Sequence, residues 1–134
     1  MFAHFLAAQD AIYPQVLEEL RAGYKASHWM WFIFPQLKAL GRSGTAKRFG
    51  IEDLEEAQAY ATHPVLGLRL RECVAIVNAL PGNDPQDVLG SIDALKFRSC
   101  LTLFGRATGE AVFSDGLTKF YGGQEDPATL SHLT

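Results

Sequence analysis

No stretch of this sequence is apolar for long enough to cross a membrane. The longest apolar run, Trp29 to Phe34, has six residues, whereas a membrane-spanning helix needs about 20. The start, Met1-Phe2-Ala3-His4, lacks the charged segment and the apolar block of a signal peptide. We therefore expect a cytoplasmic protein that does not insert into a membrane.

Cysteine is scarce. Cys73 and Cys100 are the only two, they lack CxxC spacing, and both have apolar neighbours. Because disulfides are unusual in the cytosol, the sequence predicts two buried free thiols.

The motifs of the common enzyme classes are absent as well. The sequence contains no GxxxxGK[ST], GxGxxG, HExxH or GxSxG, the signatures of nucleoside-triphosphate, dinucleotide, zinc-protease and serine-hydrolase chemistry. His4, His28, His63 and His132 have no metal-ligand spacing, so we expect neither a metal site nor a cofactor. A net charge of -3 and a pI near 5.7 argue against a general nucleic-acid binder.

What the chain does contain is the composition of one globular domain. It has 134 residues, of which 48% are hydrophobic and 20% charged, and we expect residues 1–134 to fold as a single domain. Leu6, Tyr13 and Leu17 share one helix face, so the first 22 residues are predicted to be helical. Pro14 should kink that helix or restart it near Tyr13, and Gly23 should end it.

Caps and prolines mark the later helices. The predicted start signals are Ser27 before a short helix from His28 to Phe34, Asp53 with Glu56 as a capping box, His63-Pro64, Asp84-Pro85 and Asp126-Pro127. A segment with Ile92, Leu95, Leu101 and Phe104 inward follows Gly90-Ser91. No segment alternates as a strand would. The sequence therefore predicts an all-α fold, a compact array of seven or eight helices of unequal length.

The stretch from Tyr24 to Gln36 contains both tryptophans of the chain. Its apolar run must be buried, and its polar flanks must then lie at the edge of the core. The stretch belongs to a segment, Arg21 to Ile51, with six basic residues and no acid, and four acids follow at once. This pattern favours an anionic partner; the alternative is a solvated surface whose charges balance against the next helix.

Polar residues also recur every three positions at Asp93, Lys96, Ser99 and Thr102. On a helix they form one stripe, which is either a surface ion pair with hydroxyls bonded to the preceding turn or the wall of a pocket facing the tryptophans. In the second interpretation, Lys96 or Arg98 binds an anionic group and Asp93 accepts a hydrogen bond from a sugar-like hydroxyl.

These patterns lead to one functional hypothesis and one alternative. The hypothesis is a polar pocket that binds a small anionic ligand, nucleotide-like or sugar-phosphate-like, with His28 as the candidate acid–base group for any catalysis. The expected ligand-binding residues are Lys25, Ser27, His28, Trp29, Trp31, Gln36, His63, Arg69, Asp93, Lys96 and Ser99. His63, before Pro64, is equally suited to capping a helix. The alternative function is a protein-interaction or assembly module without a small-molecule ligand.

Several segments together resemble one known family. They are Lys25 to Gln36, Gly41 to Ser43, His63 to Gly67 with Arg69-Leu70, Asp93 to Lys96, and Thr102 to Phe104. The chain resembles an uncharacterised bacterial family, domain of unknown function 1810, some members of which carry the label calpastatin-like. The resemblance implies a single-domain, mostly helical fold and no particular activity. The family pattern has a second serine after Ser99, where this chain has Cys100.

Overall fold

The structure, a computed structural model, describes residues 2–133 of the chain. In that range it contains ten α-helices and a 3-10 helix at Lys38–Leu40. The α-helices are α1 Ala3–Asp10, α2 Tyr13–Ala22, α3 Met30–Ile33, α4 Gly44–Arg48, α5 Leu54–Thr62, α6 Leu66–Asn78, α7 Pro85–Leu89, α8 Ser91–Thr108, α9 Ala111–Tyr121 and α10 Pro127–Leu133. The only β interaction among the described residues is an isolated parallel bridge between Leu37 and Ile51. The all-α prediction is confirmed, and the helices outnumber the predicted seven or eight because several are little more than one turn long.

Proline and glycine set the first helix boundaries as predicted. The chain restarts as α2 at Tyr13, with Pro14 in the first turn, where its missing N–H costs no helical hydrogen bond. Gly23 ends α2 with a φ of 74°, a left-handed conformation that glycine adopts without strain.

The short aromatic helix α3 begins at Met30 and ends at Ile33, so the predicted helix from His28 to Phe34 is too long. Ser27 does not cap it, because the Ser27 hydroxyl donates to Glu19 at 2.7 Å instead. Four residues of the apolar run are buried as predicted, namely Trp29, Met30, Ile33 and Phe34. Trp31 and Phe32 are only half-buried, so the prediction of burial is right for part of the run. Phe34 packs edge-on against Phe97 of α8, with ring centroids 4.7 Å apart.

Side chains cap four of the predicted helix starts, those at Asp53, His63, Asp84 and Asp126. Asp53 accepts the Glu56 N–H at 2.8 Å, and Asp84 accepts the Gln86 N–H at 2.9 Å, as expected. The return bond of the predicted capping box differs, because the Glu56 carboxylate accepts the N–H of Glu52 at 3.4 Å and not that of Asp53. α6 begins at Leu66, two residues later than the predicted Pro64.

His63 determines where α6 begins. Its Nδ1 accepts the N–H groups of Val65 at 3.1 Å and Leu66 at 3.2 Å. These donors would otherwise be unsatisfied at a helix start. The interpretation of His63 as a helix cap is therefore confirmed.

The long helix α8 lies at the centre of the core and packs against α5, α7, α9 and α10. Its Phe97, Leu101 and Phe104 are fully buried. The sequence pattern places Ile92 and Leu95 inside too, but this is wrong: they are 69% and 66% exposed. Ile92 lies five residues before the buried Phe97, so the two side chains point about 140° apart around the helix axis. Ile92 therefore faces away from the core.

The two cysteines are both buried and free, as predicted. Between residues 2 and 133, no helix combines the length and the apolar character that crossing a membrane requires.

Candidate ligand groove

A buried carboxylate, Glu19 of α2, holds the start of the aromatic stretch. Its oxygens accept the backbone N–H groups of Ala26 at 2.7 Å and Ser27 at 2.9 Å, the Ser27 hydroxyl at 2.7 Å and Trp29 Nε1 at 3.0 Å. Burial opposes ionisation, but the hydrogen bonds outweigh it and lower the pKa of Glu19 to about 2. The Ser27 hydroxyl and the Trp29 indole N–H are therefore engaged inside the protein.

Asp93, in the first turn of α8, lies between two lysines. Its Oδ2 is 2.9 Å from Lys25 Nζ, and its Oδ1 is 3.9 Å from Lys96 Nζ. Each ammonium group also lies over an indole ring, Lys25 over Trp29 at 5.1 Å and Lys96 over Trp31 at 5.6 Å. The Lys25 side chain is only 7% exposed, so Asp93 supplies its counter-charge, while the Lys96 side chain is 27% exposed. One carboxylate between two ammonium groups leaves Lys96 with an uncompensated positive charge near solvent.

The polar stripe on α8 combines both interpretations of the sequence. Asp93 and Lys96 face the tryptophans, as the pocket interpretation predicts. Thr102 donates to the Arg98 carbonyl at 2.8 Å, and the Ser99 hydroxyl lies 3.2 Å from the Leu95 carbonyl, as the structural interpretation predicts.

A surface groove of about 460 Å³ lies beside Lys96. Its lining comes from α8, from Gln36 and the segment from Leu40 to Ala46, and from the start of α10. The lining residues are Gln36, Leu40, Gly41, Arg42, Ser43, Ala46, Ile92, Leu95, Lys96, Arg98, Ser99, Asp126 and Ala128. A small cavity of about 10 Å³ beside Trp31 shares Gln36, Ala46 and Lys96 with the groove. The groove therefore adjoins the aromatic stretch.

Two of the three cations in the groove lining are open to a ligand. Arg98 uses its guanidinium to hold the carbonyl oxygens of Gln124 at 3.0 Å and Glu125 at 2.8 Å. Arg42 is exposed and makes no hydrogen bond or ion pair within residues 2–133. The open cations are therefore Arg42 and Lys96.

Asp126 contributes a carboxylate to the same groove. Its Oδ2 accepts the Ser99 hydroxyl at 2.9 Å, the Thr129 N–H at 3.1 Å and the Thr129 hydroxyl at 2.6 Å, which caps α10. Its Oδ1 accepts no hydrogen bond from the described residues. Asp126 lines the groove, so its carboxylate is available there as a hydrogen-bond acceptor.

The structure brings together only part of the predicted ligand set. Gln36, Lys96 and Ser99 line the groove, Trp31 lines the adjoining cavity, and Asp93 with Lys25 forms the ion pairs beside Lys96. Ser27 and Trp29 bond to Glu19.

The remaining predicted residues, His28, His63 and Arg69, make no contact with the groove. His28 is exposed and has no hydrogen bond, ion pair or ring contact to the described residues. Arg69 pairs with Asp10 of α1 at 2.9 Å. Across residues 2–133, no three His, Cys, Asp or Glu side chains are placed to hold a metal ion.

Sequence reasoning missed two residues that matter here. Glu19 lies three positions after Val16 and directly before Leu20, and both of these residues are fully buried. Its position on the helix could therefore have predicted that Glu19 is buried. Asp126 was predicted only to start the last helix before Pro127 and was not assigned to the site. Its contact with Ser99 arises only when α10 packs against α8.

By its fold and groove, this is an all-α protein with a surface groove that is lined by apolar and cationic residues. Membership of this class does not by itself determine an activity. The chain matches the model of a family described as "Protein of unknown function (DUF1810)" over residues 1–133, and it belongs to that family. The sequence resemblance is thereby confirmed.

The fold is similar to a solved structure. It superposes on the crystal structure of the conserved hypothetical protein Rv1873 from Mycobacterium tuberculosis with a TM-score of 0.95 and 50% sequence identity, covering 97% of this chain and 94% of that chain. A comparison with curated proteins gives no match.

Proposed function

We propose that this protein binds a small anionic ligand in the groove, with Lys96 as the main contact. The observation that carries the proposal is the position of the Lys96 ammonium group, which lies at the groove between Asp93 and the Trp31 ring. A cation that is already ordered loses little conformational freedom when it binds an anion. The groove volume, about 460 Å³, lies within the range of small-molecule sites.

The local charge supports an anion. The cations in and beside the groove outnumber the carboxylates, although the whole chain has a net charge of -3. They are Lys25, Arg42, Lys96 and Arg98, against Asp93 and Asp126. Such a positive region in an acidic protein concentrates anions locally.

The proposed ligand class is the nucleotide-like or sugar-phosphate-like anions of the cytoplasm. A cytoplasmic location belongs to the proposal, and the two free thiols support it, because an oxidising compartment favours disulfides.

Calorimetry with inorganic phosphate, a set of nucleotides and a set of sugar phosphates tests the proposal. Lys96→Met removes the charge and keeps the apolar stem, and it is expected to weaken binding by about tenfold or more, since a charged hydrogen bond is lost. The matched control is Lys119→Met on α9, outside the groove, which should bind as the wild type does. The proposal fails if no anion binds, or if both variants bind equally well.

A second candidate function is a protein-interaction module, and one observation favours it. Ile92 and Leu95, one helical turn apart on α8, are 69% and 66% exposed. Neighbouring exposed apolar side chains are typical of contact surfaces. If the chain self-associates through them, light scattering should give a mass above 14.7 kDa, and the double variant Ile92→Ser/Leu95→Ser should restore the monomer. A monomeric wild type rules out self-association.

A further inference from the structure

We infer that the ligand of the groove is a ribonucleoside monophosphate: a single phosphate joined to a nucleobase through a sugar with free hydroxyl groups. This inference rests on the proposed function and adds the ligand class. Three features of the groove support it. They are an apolar wall formed by Ile92 and Leu95, a cationic pair formed by Lys96 and Arg42, and the carboxylate of Asp126.

The apolar wall distinguishes a nucleotide from a plain sugar phosphate. Ile92 and Leu95 line the groove, and about two-thirds of each side chain is exposed. A sugar phosphate has a smaller and more hydroxylated surface, so it covers these side chains less well. A nucleobase has an apolar face that covers them and releases their water, which favours binding.

The cationic pair accounts for the phosphate. The Lys96 ammonium has one close carboxylate, Asp93 at 3.9 Å, which is already paired with Lys25 at 2.9 Å. Arg42 adds a planar guanidinium that can bind two phosphate oxygens at once.

The Asp126 carboxylate explains why we expect a sugar with free hydroxyl groups, and its charge limits the ligand to one phosphate. Asp126 Oδ1 has no partner among the described residues, although Oδ2 accepts three hydrogen bonds. An ionised carboxylate accepts hydrogen bonds only, so it selects hydroxyl donors such as those of ribose. The same negative charge repels additional phosphates.

Each of the three features has at least one residue that lies on α8 or contacts it. Ile92 and Ser99 are seven residues apart on α8, about 10 Å along the helix axis, and Lys96 lies between them. Asp126 adjoins Ser99, with its Oδ2 2.9 Å from the hydroxyl.

The test is a calorimetric titration of the whole chain with matched ligands. The four common ribonucleoside 5′-monophosphates are compared with ribose 5-phosphate, with 2′,3′-dideoxyadenosine 5′-monophosphate, with adenosine triphosphate and with inorganic phosphate. At least one ribonucleoside monophosphate is expected to bind about tenfold more tightly than each of the others, because each of them lacks the base or the hydroxyl groups, or adds charge.

Two variants test the individual contacts. Asp126→Asn keeps an oxygen that can cap α10 and replaces the other oxygen with an N–H donor group, so the preference for the ribonucleotide over its dideoxy form should disappear. Leu95→Ser alters an exposed side chain without disturbing the core, and the ribonucleotide should then bind only as tightly as ribose 5-phosphate. Leu68→Ser is the matched control, because Leu68 is 68% exposed on α6 and lies outside the groove.

The possible outcomes distinguish a failure of the ribonucleotide inference from a failure of the proposed anion site. If ribose 5-phosphate or the dideoxy compound binds as tightly as every ribonucleotide, this inference is overturned and the proposed anion site stands. If the triphosphate binds most tightly, both the single phosphate of this inference and the role assigned to Asp126 are overturned, and the proposed anion site stands. If no phosphate compound binds, the proposed function fails as well.

Discussion

Lys25 Nζ lies 2.9 Å from Asp93 Oδ2, which ties the loop after α2 to the first turn of α8. The side chains are 7% and 19% exposed, so the ion pair is largely shielded from water. The backbone N–H of Lys25 also donates to the Val88 carbonyl at 2.8 Å. The aromatic stretch is thus attached to α7 and α8 by main chain and side chain, and the same carboxylate faces Lys96 at the groove.

Asp93→Asn is expected to lower the free energy of unfolding by about 3 kcal/mol, because it leaves the Lys25 ammonium buried without a counter-charge. Urea unfolding followed by tryptophan fluorescence measures this loss. Both tryptophans lie near the altered ion pair and report on it directly.

The matched control for that variant is Glu52→Gln. It breaks the Lys38–Glu52 pair, whose atoms are 3.0 Å apart but whose side chains are 47% and 58% exposed. An exposed pair contributes at most about 1 kcal/mol. Equal losses in the two variants would show that shielding of the Lys25–Asp93 pair has no energetic effect.

Glu19→Gln is expected to destabilise the protein most at neutral pH. The pKa of Glu19 in the folded protein is about 2, below its ordinary value of 4.5. Its ionised form therefore stabilises the fold above pH 4.5, and this stabilisation is lost as the pH falls toward 2. At neutral pH the contribution is at most about 3 kcal/mol.

Urea unfolding at a series of pH values, from neutral to strongly acidic, checks the role of Glu19. The stability difference between wild type and Glu19→Gln should shrink steadily as the pH falls. Glu18→Gln, a change at the exposed neighbouring position, should show no such trend. A difference that stays constant with pH would mean that the Glu19 charge is not what holds the loop.

The features that the sequence predicted correctly depend on neighbours in the chain. Pro14 and Gly23 bound α2, and Asp53 and Asp84 cap their helices, because each effect involves backbone groups within a few residues. These local rules were enough for the all-α class and for most helix starts.

The groove depends on distant contacts, and so it was predicted only in part. Lys96 and Ser99 were assigned to the site because their spacing places them on one helix face. Asp93, predicted as an acceptor for the ligand, is paired with Lys25, whereas Asp126, which also lines the groove, was not assigned to the site. Ile92 and Leu95 show the limit of hydrophobic patterns, which cannot tell an apolar residue in the core from one on a groove wall.

The two thiols are expected to be unreactive in the folded protein. Burial raises the pKa of Cys73 to about 12 and raises the pKa of Cys100 well above its ordinary value. A chromogenic disulfide reagent should therefore detect no thiol in the native state and both thiols in concentrated guanidinium chloride. Reaction of either thiol in the native protein at the rate of free glutathione would contradict the burial.

Gly67 of α6 marks a close approach between two helices. A Cβ atom at this position would overlap the carbonyl oxygen of Ala61, in the last turn of α5. That oxygen also accepts Arg71 Nη1 at 2.8 Å, so moving it away would break a second contact. Gly67→Ala is therefore expected to lower the free energy of unfolding by about 2–3 kcal/mol, although alanine is the better helix former.

Gly44→Ala is the control for this helix approach. Gly44 begins α4, and nothing lies within 4 Å of a Cβ atom added there. The same substitution should be neutral at Gly44 or stabilise the fold by up to about 1 kcal/mol, because alanine restricts the unfolded chain and favours the helix. Urea unfolding of both variants separates steric overlap from helix propensity. If Gly67→Ala is as stable as Gly44→Ala, then α6 can shift away from α5 at little cost, and the absence of a side chain at Gly67 is not what allows the two helices to meet.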